Sequence, residues 1–357
     1  MNLTLLGWNS QFQENFNSLK NTNLLPARII CEDKGSYVAA TATRDIRSKI
    51  SGAYFYTAKT RIDLPVVGDW VAIQASGDLG IIHNLLPRNT LLSRKTSGEK
   101  IEEQPLAANI DYAFIISGLD KNYNLRRIER YITLTWNSGV QPIIILNKVD
   151  LVNDAGWRKQ IIHDLEAIAC TVPIHFISSL NSGGLSDLSN YLTQNKTVAL
   201  LGSSGVGKST LTNKLTGEVL QKTTSTRESD SKGRHTTTRR QLFLLPTGGM
   251  LIDTPGMREL QLWADESIID SSFSDIETLA VNCRFRDCTH SHEKGCAVQE
   301  AIAQKILSKD RLTNYLKMQR EVQYLAKKQK ETSWDTRLAD RQFGKRLRNA
   351  RKYLHGL

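Results

Sequence analysis

Between Pro26 and about Lys95 the apolar residues come in short runs, ARIIC (27–31), SYVAATA (36–42), AYFYTA (53–58), VVGDWVAI (66–73) and LGIIHNL (79–85), with Gly35, Gly52, Gly68, Gly77 and Gly80 punctuating the stretch. Five short strands in so few residues predict a small barrel of OB or SH3-like type. From Asp111 the pattern changes. DYAFIIS, QPIIILN, VPIHFIS, TVALLG and MLIDT are continuous apolar runs separated by longer, helix-compatible stretches. Strands apolar on both faces belong to a sheet covered on both sides, which predicts a mostly parallel α/β domain. After about Leu262 the chain turns helical and charged. The expected layout is therefore an N-terminal extension with a barrel (1–100), an α/β domain (101–262) and a helical domain with a basic tail (263–357). No internal repeat is visible.

The chemistry begins where the fourth apolar run of the α/β domain ends. Gly202, Ser203, Ser204, Gly205, Val206, Gly207, Lys208 and Ser209 follow the run Val198–Leu201 and lead, from Thr210, into a helix-compatible stretch. That is the strand, glycine-rich loop and helix of a P-loop. Its glycines let backbone N–H groups turn toward phosphates at a helix N-terminus, where the dipole favours anions. Lys208 is placed for the β- and γ-phosphates, and the Ser209 hydroxyl for Mg²⁺.

A P-loop does not select a base, but Asn147-Lys148-Val149-Asp150, directly after Pro142–Leu146, does. A carboxylate at Asp150 accepts from the N1–H and the exocyclic amine of guanine, whereas adenine offers no amine there and an acceptor at N1. Asn147 would hold the loop and the base edge, and the stem of Lys148 would cover the ring. Ser178-Ser179-Leu180 resembles the loop whose backbone N–H contacts the guanine oxygen. Asp253-Thr254-Pro255-Gly256 resembles the loop that holds Mg²⁺ through its aspartate and senses the γ-phosphate through its glycine. The polar stretch Gln221–Arg240 between them is where a switch with an Mg²⁺-binding threonine belongs; Thr236, Thr237 and Thr238 are the candidates, with Thr237 taken as the ligand.

The base-reading loops at 147 and 178 precede the P-loop at 202, the reverse of the order in ordinary small GTPases. The same sheet forms if the old termini are joined and new ones open beside the Asp253 loop. Downstream, Cys283, Cys288, His290 and Cys296 supply four ligands within fourteen residues, the donor set of a closed tetrahedral Cys₃His zinc site, with His292 an alternative to His290. Cys31 and Cys170 are lone and expected to be small buried hydrophobes.

Permuted motifs, a preceding barrel and a following Cys/His segment resemble the RsgA (YjeQ) family of ribosome-assembly GTPases over nearly the whole chain. The most specific stretches are the P-loop, Gly233-Arg-His-Thr-Thr-Thr238, Asp253-Thr-Pro-Gly-Met-Arg-Glu259 and Cys283-Arg-Phe-Arg-Asp-Cys-Thr-His290. The resemblance implies an OB-fold barrel, a circularly permuted P-loop GTPase domain, a mostly helical zinc domain with one Zn²⁺ per chain, and GTP hydrolysis stimulated by the small (30S) subunit during its late maturation. It points to His235 as the group that orients water. Where Ras-like enzymes carry glutamine after the switch glycine, this chain has Met257, which cannot do that.

Charge supports a polyanionic partner. The net charge is +11, and residues 317–357 hold twelve Lys/Arg against four Asp/Glu. This makes RNA the favoured partner, and the resemblance implies that it is the 16S rRNA of the 30S subunit. On the barrel, Trp70, Tyr54, Phe55 and Tyr56 with Arg44, Arg47, Lys49, Lys59 and Arg61 are either an RNA face or, for the aromatics, simply core. The N-terminus has no basic segment followed by a long apolar one, and no run reaches membrane-span length. With five cysteines, three of them clustered, the expected setting is a reduced cytoplasm, without a membrane, as a monomer. Two other readings stand beside this one: a GTPase of another class, such as tRNA modification, and a non-catalytic RNA-binding scaffold gated by GTP.

Overall fold

The computed structural model describes residues 2–21, 23–33, 35–95, 103–120, 123–152, 154–169, 171–218, 240–253, 273–291, 293–324 and 327. The chain divides into two compact units, Met1–Lys95 with Glu102–Trp263 and Thr96–Ile101 with Ala264–Leu357.

The first unit opens with a closed five-stranded barrel. Strands β1 (Leu25–Asp33), β2 (Ser36–Ala40), β3 (Asp45–Ile50), β4 (Trp70–Ser76) and β5 (Leu79–Leu85) pair in the order β1-β2-β3-β5-β4, and β4 returns to β1. One expected strand is wrong. AYFYTA forms helix α2 (Gly52–Thr57), and the third strand is Asp45–Ile50 instead. The physical reason is local. Ser51 caps the helix by accepting from the Tyr54 N–H, and no residue of α2 is buried, so the adjacent Phe55 and Tyr56 have no pleated surface to pack on. Asp45–Ile50 escaped notice because only Ile46 and Ser48 face inward, a weak alternation in a polar run.

Helix α1 (Ser10–Asn17) lays Phe12 over the buried Trp70, whose ring Trp8 meets edge-on at 4.6 Å. Beneath the barrel, Asp69 is fully buried. Its carboxylate accepts from Arg88 Nε at 2.8 Å, from a second Arg88 nitrogen at 2.7 Å and from the Val66 N–H at 2.7 Å.

Beyond a small hairpin of β6 (Leu91–Lys95) and β7 (Glu103–Ala108) comes the α/β sheet: β8 (Tyr112–Gly118), β9 (Gln141–Asn147), β10 (Ile174–Phe176), β11 (Thr197–Leu201), β12 (Arg240–Leu244) and β13 (Met250–Asp253). Their order is β10-β9-β8-β11-β13-β12, parallel throughout except that β12 runs antiparallel to β13. Helices α3 (Leu125–Asn137), α4 (Ala155–Ala169) and α5 (Lys208–Thr216) connect the strands. The core beneath them holds Phe114, Ile143, Ile145, Leu200, Leu211 and Leu251.

Barrel and α/β sheet are continuous. β12 pairs antiparallel with β1, aligning Cys31 with Gln241 and Glu32 with Arg240, so that eleven strands form one sheet. Arg240 meets Glu32 at 3.1 Å and donates to the Pro105 carbonyl. At this junction the fully buried Arg28 donates to the carbonyls of Gly68, Asn109 and Leu6 and to Thr197 Oγ1 at 3.0 Å. Burial pulls its pKa down to about 10, against the opposing pull of Asp111 and Asp69.

The second unit contains α6 (Ser274–Ala280), α7 (Ala297–Ala303) and a helical stretch over 309–324. Phe273, Ile276, Val298, Leu312 and Met318 are buried in it, and Arg311 grips Asp275 while lying over the Phe273 ring at 4.7 Å. Among the described residues no helix is long and apolar enough to cross a membrane.

Candidate nucleotide site and metal centre

The C-terminal ends of β8, β9, β11 and β13 lie side by side because their strands are parallel neighbours, and the P-loop leaves from the end of β11. Gly207, at φ +99°, is the residue before α5, and a Cβ there would sit 2.2 Å from Asn147 Nδ2. A Cβ on Gly202, at φ +150°, would sit 2.4 Å from the Ile116 carbonyl. Both glycines are needed for conformation and for space. No side chain caps α5, so its first N–H groups are open toward the loop, with Ser209 and Thr210 in the first turn. Val206 is buried, while Ser204 and Gly205 form the exposed tip. Lys208 Nζ donates to the carbonyls of Gly202 and Ser203, each at 2.7 Å. Burial lowers its pKa to about 8 against the raising effect of Asp253, a buried residue at the end of β13.

Asn147 joins three loops. Its side-chain amide donates to the Val206 carbonyl at 2.8 Å, and its Oδ1 accepts from the Ser179 N–H at 2.9 Å and the Ser179 hydroxyl at 3.0 Å. Asp150 accepts from the Ser178 hydroxyl at 2.5 Å. Lys148 stands in the left-handed region at φ 67° and meets Asp120 at 2.6 Å. The residues expected to read the base thus lie around one buried asparagine that also touches the P-loop. Ser209 and Asp253, oxygen donors of the kind Mg²⁺ takes, stand on α5 and at the end of β13, whose strand neighbours β11. His235, Thr237 and Gly256, like Met257 and the tail from 328, lie outside the described residues.

Sequence reasoning missed Asp120 and Arg127, whose guanidinium donates to Ser203 Oγ at 3.1 Å. Neither belongs to a motif. What brings them to the site is the strand order, which sets β8 between β9 and β11 and which no local pattern in the sequence encodes.

In the second unit, the ligand atoms of Cys283, Cys288, His290 and Cys296 lie within 4.8 Å of one another. Cys283 and Cys296 sulfurs are 3.9 Å apart and lie 3.6 and 3.5 Å from His290 Nδ1. Metal–ligand bonds of about 2.3 Å to sulfur and about 2.0 Å to nitrogen place tetrahedral ligands about 3.8 and 3.5 Å apart, so the cluster has the dimensions of a zinc site. Cys296 caps α7, accepting from the Gln299 N–H, and Gln299 also holds the His290 carbonyl.

With that geometry in place, a family model described as RsgA GTPase matches residues 85–263. A relative from Opitutus terrae, "Small ribosomal subunit biogenesis GTPase RsgA", is 43% identical over 92% of each chain. The chain belongs to the RsgA GTPase family. "Small ribosomal subunit biogenesis GTPase RsgA 1" of Listeria monocytogenes is 44% identical over 84% of each chain. "YjeQ from Thermotoga maritima" shares the fold at TM-score 0.60 and 24% identity, over 84% of this chain and 98% of that one. A structure titled "YloQ, a circularly permuted GTPase" matches at TM-score 0.59 and 25% identity, over 85% and 96%. An ABC transporter model also matches residues 185–347, a range that takes in the P-loop but not the Asn147 loop. As an RsgA-family member the chain is a GTP hydrolase that uses GTP with Mg²⁺, built as an OB-like barrel, a P-loop GTPase domain and a helical segment whose Cys₃His cluster suits zinc.

Proposed function

We propose that this chain hydrolyses GTP while seated on the 16S rRNA of the small (30S) ribosomal subunit, late in that subunit's maturation, as a cytoplasmic monomer. The observation that carries the reading is the shared sheet. The strand that follows the switch region pairs with a barrel strand, so nucleotide site and barrel are one piece. The relatives' printed names supply the subunit.

In this reading Asn147, Lys148, Asp150, Ser178 and Ser179 hold guanine, and Gly202 to Thr210 hold the phosphates. Ser209, Thr237 and Asp253 are the Mg²⁺ ligands, and the bound ion neutralises charge on the β- and γ-phosphates. Lys208 stabilises charge developing during transfer, Gly256 senses the γ-phosphate, and His235 orients the attacking water in place of Met257. One Zn²⁺ per chain binds Cys283, Cys288, His290 and Cys296. The functional segments are 1–100, 101–262 and 263–357.

Support for RNA binding lies on the barrel surface. Trp70 is core, but Phe55 and Tyr56 are 65% and 92% exposed. Exposed Arg47 and Lys49 align with exposed Leu79 and Ile81 on the outer face of β3 and β5, and exposed Lys59 and Arg61 follow α2. Cations beside exposed rings suit phosphates and stacked bases.

The test is co-sedimentation with purified small subunits in GDP and in a non-hydrolysable GTP analogue, with GTP turnover measured alongside. Tighter binding with the analogue and faster turnover with subunits are expected. Equal binding in both states, or turnover indifferent to subunits, refutes the reading, and binding without turnover would favour the GTP-gated scaffold.

A further inference from the structure

We infer that Asp120, just after β8, and Arg127, in the first turn of α3, clasp the two halves of the nucleotide site as positioning residues for the bound nucleotide. The inference rests on the assignment of the Asn147 and Gly202 loops as that site. The chain order separates these loops by more than fifty residues, yet β8 lies between their strands in the sheet. Asp120 reaches one of these loops through Lys148, and Arg127 reaches the other through Ser203.

Toward the base loop, the Leu119 N–H donates to the Asn147 carbonyl at 2.8 Å, which sets Asp120 beside Lys148. The Asp120 carboxylate then takes the Lys148 ammonium at 2.6 Å, with both side chains about four-fifths buried. A lysine side chain carries about 2 kcal/mol of rotamer entropy when free. Anchoring its head by a charge-assisted hydrogen bond leaves the methylene stem laid out in advance as a floor for a planar base, so less ordering remains to be done on binding. Lys148 itself stands in the left-handed region, at the turn between β9 and the short helical turn Val149–Leu151.

Toward the phosphate loop, Asn124 caps α3 by accepting from the Arg127 N–H at 2.9 Å, fixing the first turn of the helix. From there the Arg127 guanidinium reaches Ser203 Oγ at 3.1 Å. The same serine's carbonyl is one of the two that hold Lys208. Arg127 thus acts on the phosphate-binding lysine through Ser203, from outside the loop, and its positive charge adds to the field in which an anion is received. Between the two contacts the Tyr123 N–H donates to the Asp120 carbonyl at 2.9 Å, tying the loop that carries the aspartate to the helix that carries the arginine.

Two double-mutant cycles on the full chain test the clasp, with the dissociation constants of GDP and a fluorescent GDP analogue as readouts. The pairs are Asp120→Asn with Lys148→Met, and Arg127→Met with Ser203→Ala. Asp120→Asn is expected to weaken GDP by roughly tenfold, the scale of a charge-assisted hydrogen bond in a part-buried site. Arg127→Met should weaken it by roughly three- to tenfold. Within each pair the double variant should be no worse than its worse single member, because the two residues act as one unit. Asp120→Glu and Arg127→Lys should recover part of the loss, and they stand in for any variant that does not fold. Effects that multiply within both pairs would overturn the clasp, as would variants that lower the urea midpoint of the nucleotide-free protein yet bind GDP like wild type. Asp150→Asn serves as the control. If it fails to shift preference from GTP toward xanthosine triphosphate, the site assignment falls and the clasp with it. If the control holds and the pairs are additive, the clasp alone falls.

Discussion

Removing Arg88 should unbalance the barrel about as much as truncating one of its large buried hydrophobic side chains. Asp69 has no solvent-exposed side-chain surface, and two of the three hydrogen bonds described for its carboxylate come from Arg88. Arg88 also serves the carbonyls of Ile62 and Leu64. In Arg88→Ala the carboxylate keeps the Val66 N–H, and breaking a buried pair in this way costs about 3–5 kcal/mol. For the carboxylate's share of this cost, an upper bound comes from proton uptake. Neutralising a carboxyl with an ordinary pKa of about 3.9 costs about 4 kcal/mol at pH 7 and about 1.5 kcal/mol at pH 5. Burial already pushes the Asp69 carboxyl upward while Arg88 pulls it back, so the variant leaves only the upward push. A carboxyl raised in the folded state is best tolerated below its unfolded pKa and loses stability as pH rises through the folded value. The carboxylate's share of the deficit should therefore shrink from about 3–4 kcal/mol at pH 7 to at most about 1.5 kcal/mol at pH 5, on top of a pH-independent loss at the Ile62 and Leu64 carbonyls. Urea unfolding followed by tryptophan fluorescence reads it, because the neighbouring Trp70 is buried. Arg88→Met with Asp69→Asn should recover most of the loss and abolish its pH dependence. A deficit under about 1 kcal/mol at pH 7, or one equal at both pH values, would refute the reasoning.

Three further outcomes are expected. Gly207→Ala puts a methyl group 2.2 Å from Asn147 Nδ2 in a left-handed backbone, so it should abolish GTP binding in a titration while leaving the far-ultraviolet circular dichroism intact. Asp150→Asn should weaken GTP and improve xanthosine triphosphate in competition binding, because an amide offers a donor where xanthine presents a carbonyl. Elemental analysis of protein purified without chelators should find one zinc per chain, lost in Cys288→Ser together with helical signal from the second unit.

The α/β part of the fold was legible because its central strands are buried on both faces and read as unbroken apolar runs, and because β9, β11 and β13 end where a motif begins. The barrel was legible as a barrel but not strand by strand. AYFYTA has the β-branched and aromatic texture of a strand only by composition; its Ser51 cap marks a helix, and its exposed rings answer to something other than the core. β12 was hidden because Arg240–Leu244 is short and begins in the polar stretch read as switch. The zinc ligands were legible from spacing, since four donors in fourteen residues need no tertiary help to meet. Asp120, Arg127 and Arg28 were not, because their partners lie 28, 76 and up to 222 residues away and no periodicity encodes such distances.

Because barrel and nucleotide domain share a sheet, any hinge between them must break strand pairing. Bending between β1 and β12 would part the Cys31–Gln241 register, pull Arg240 from Glu32 and draw Arg28 out from among the carbonyls that solvate it. The barrel is thereby an arm carried on the same sheet as the strands that hold the P-loop and Asp253, and its tip sweeps further than its root for any rotation the sheet transmits. Gripping the arm and holding the nucleotide become two ways of setting the same angle.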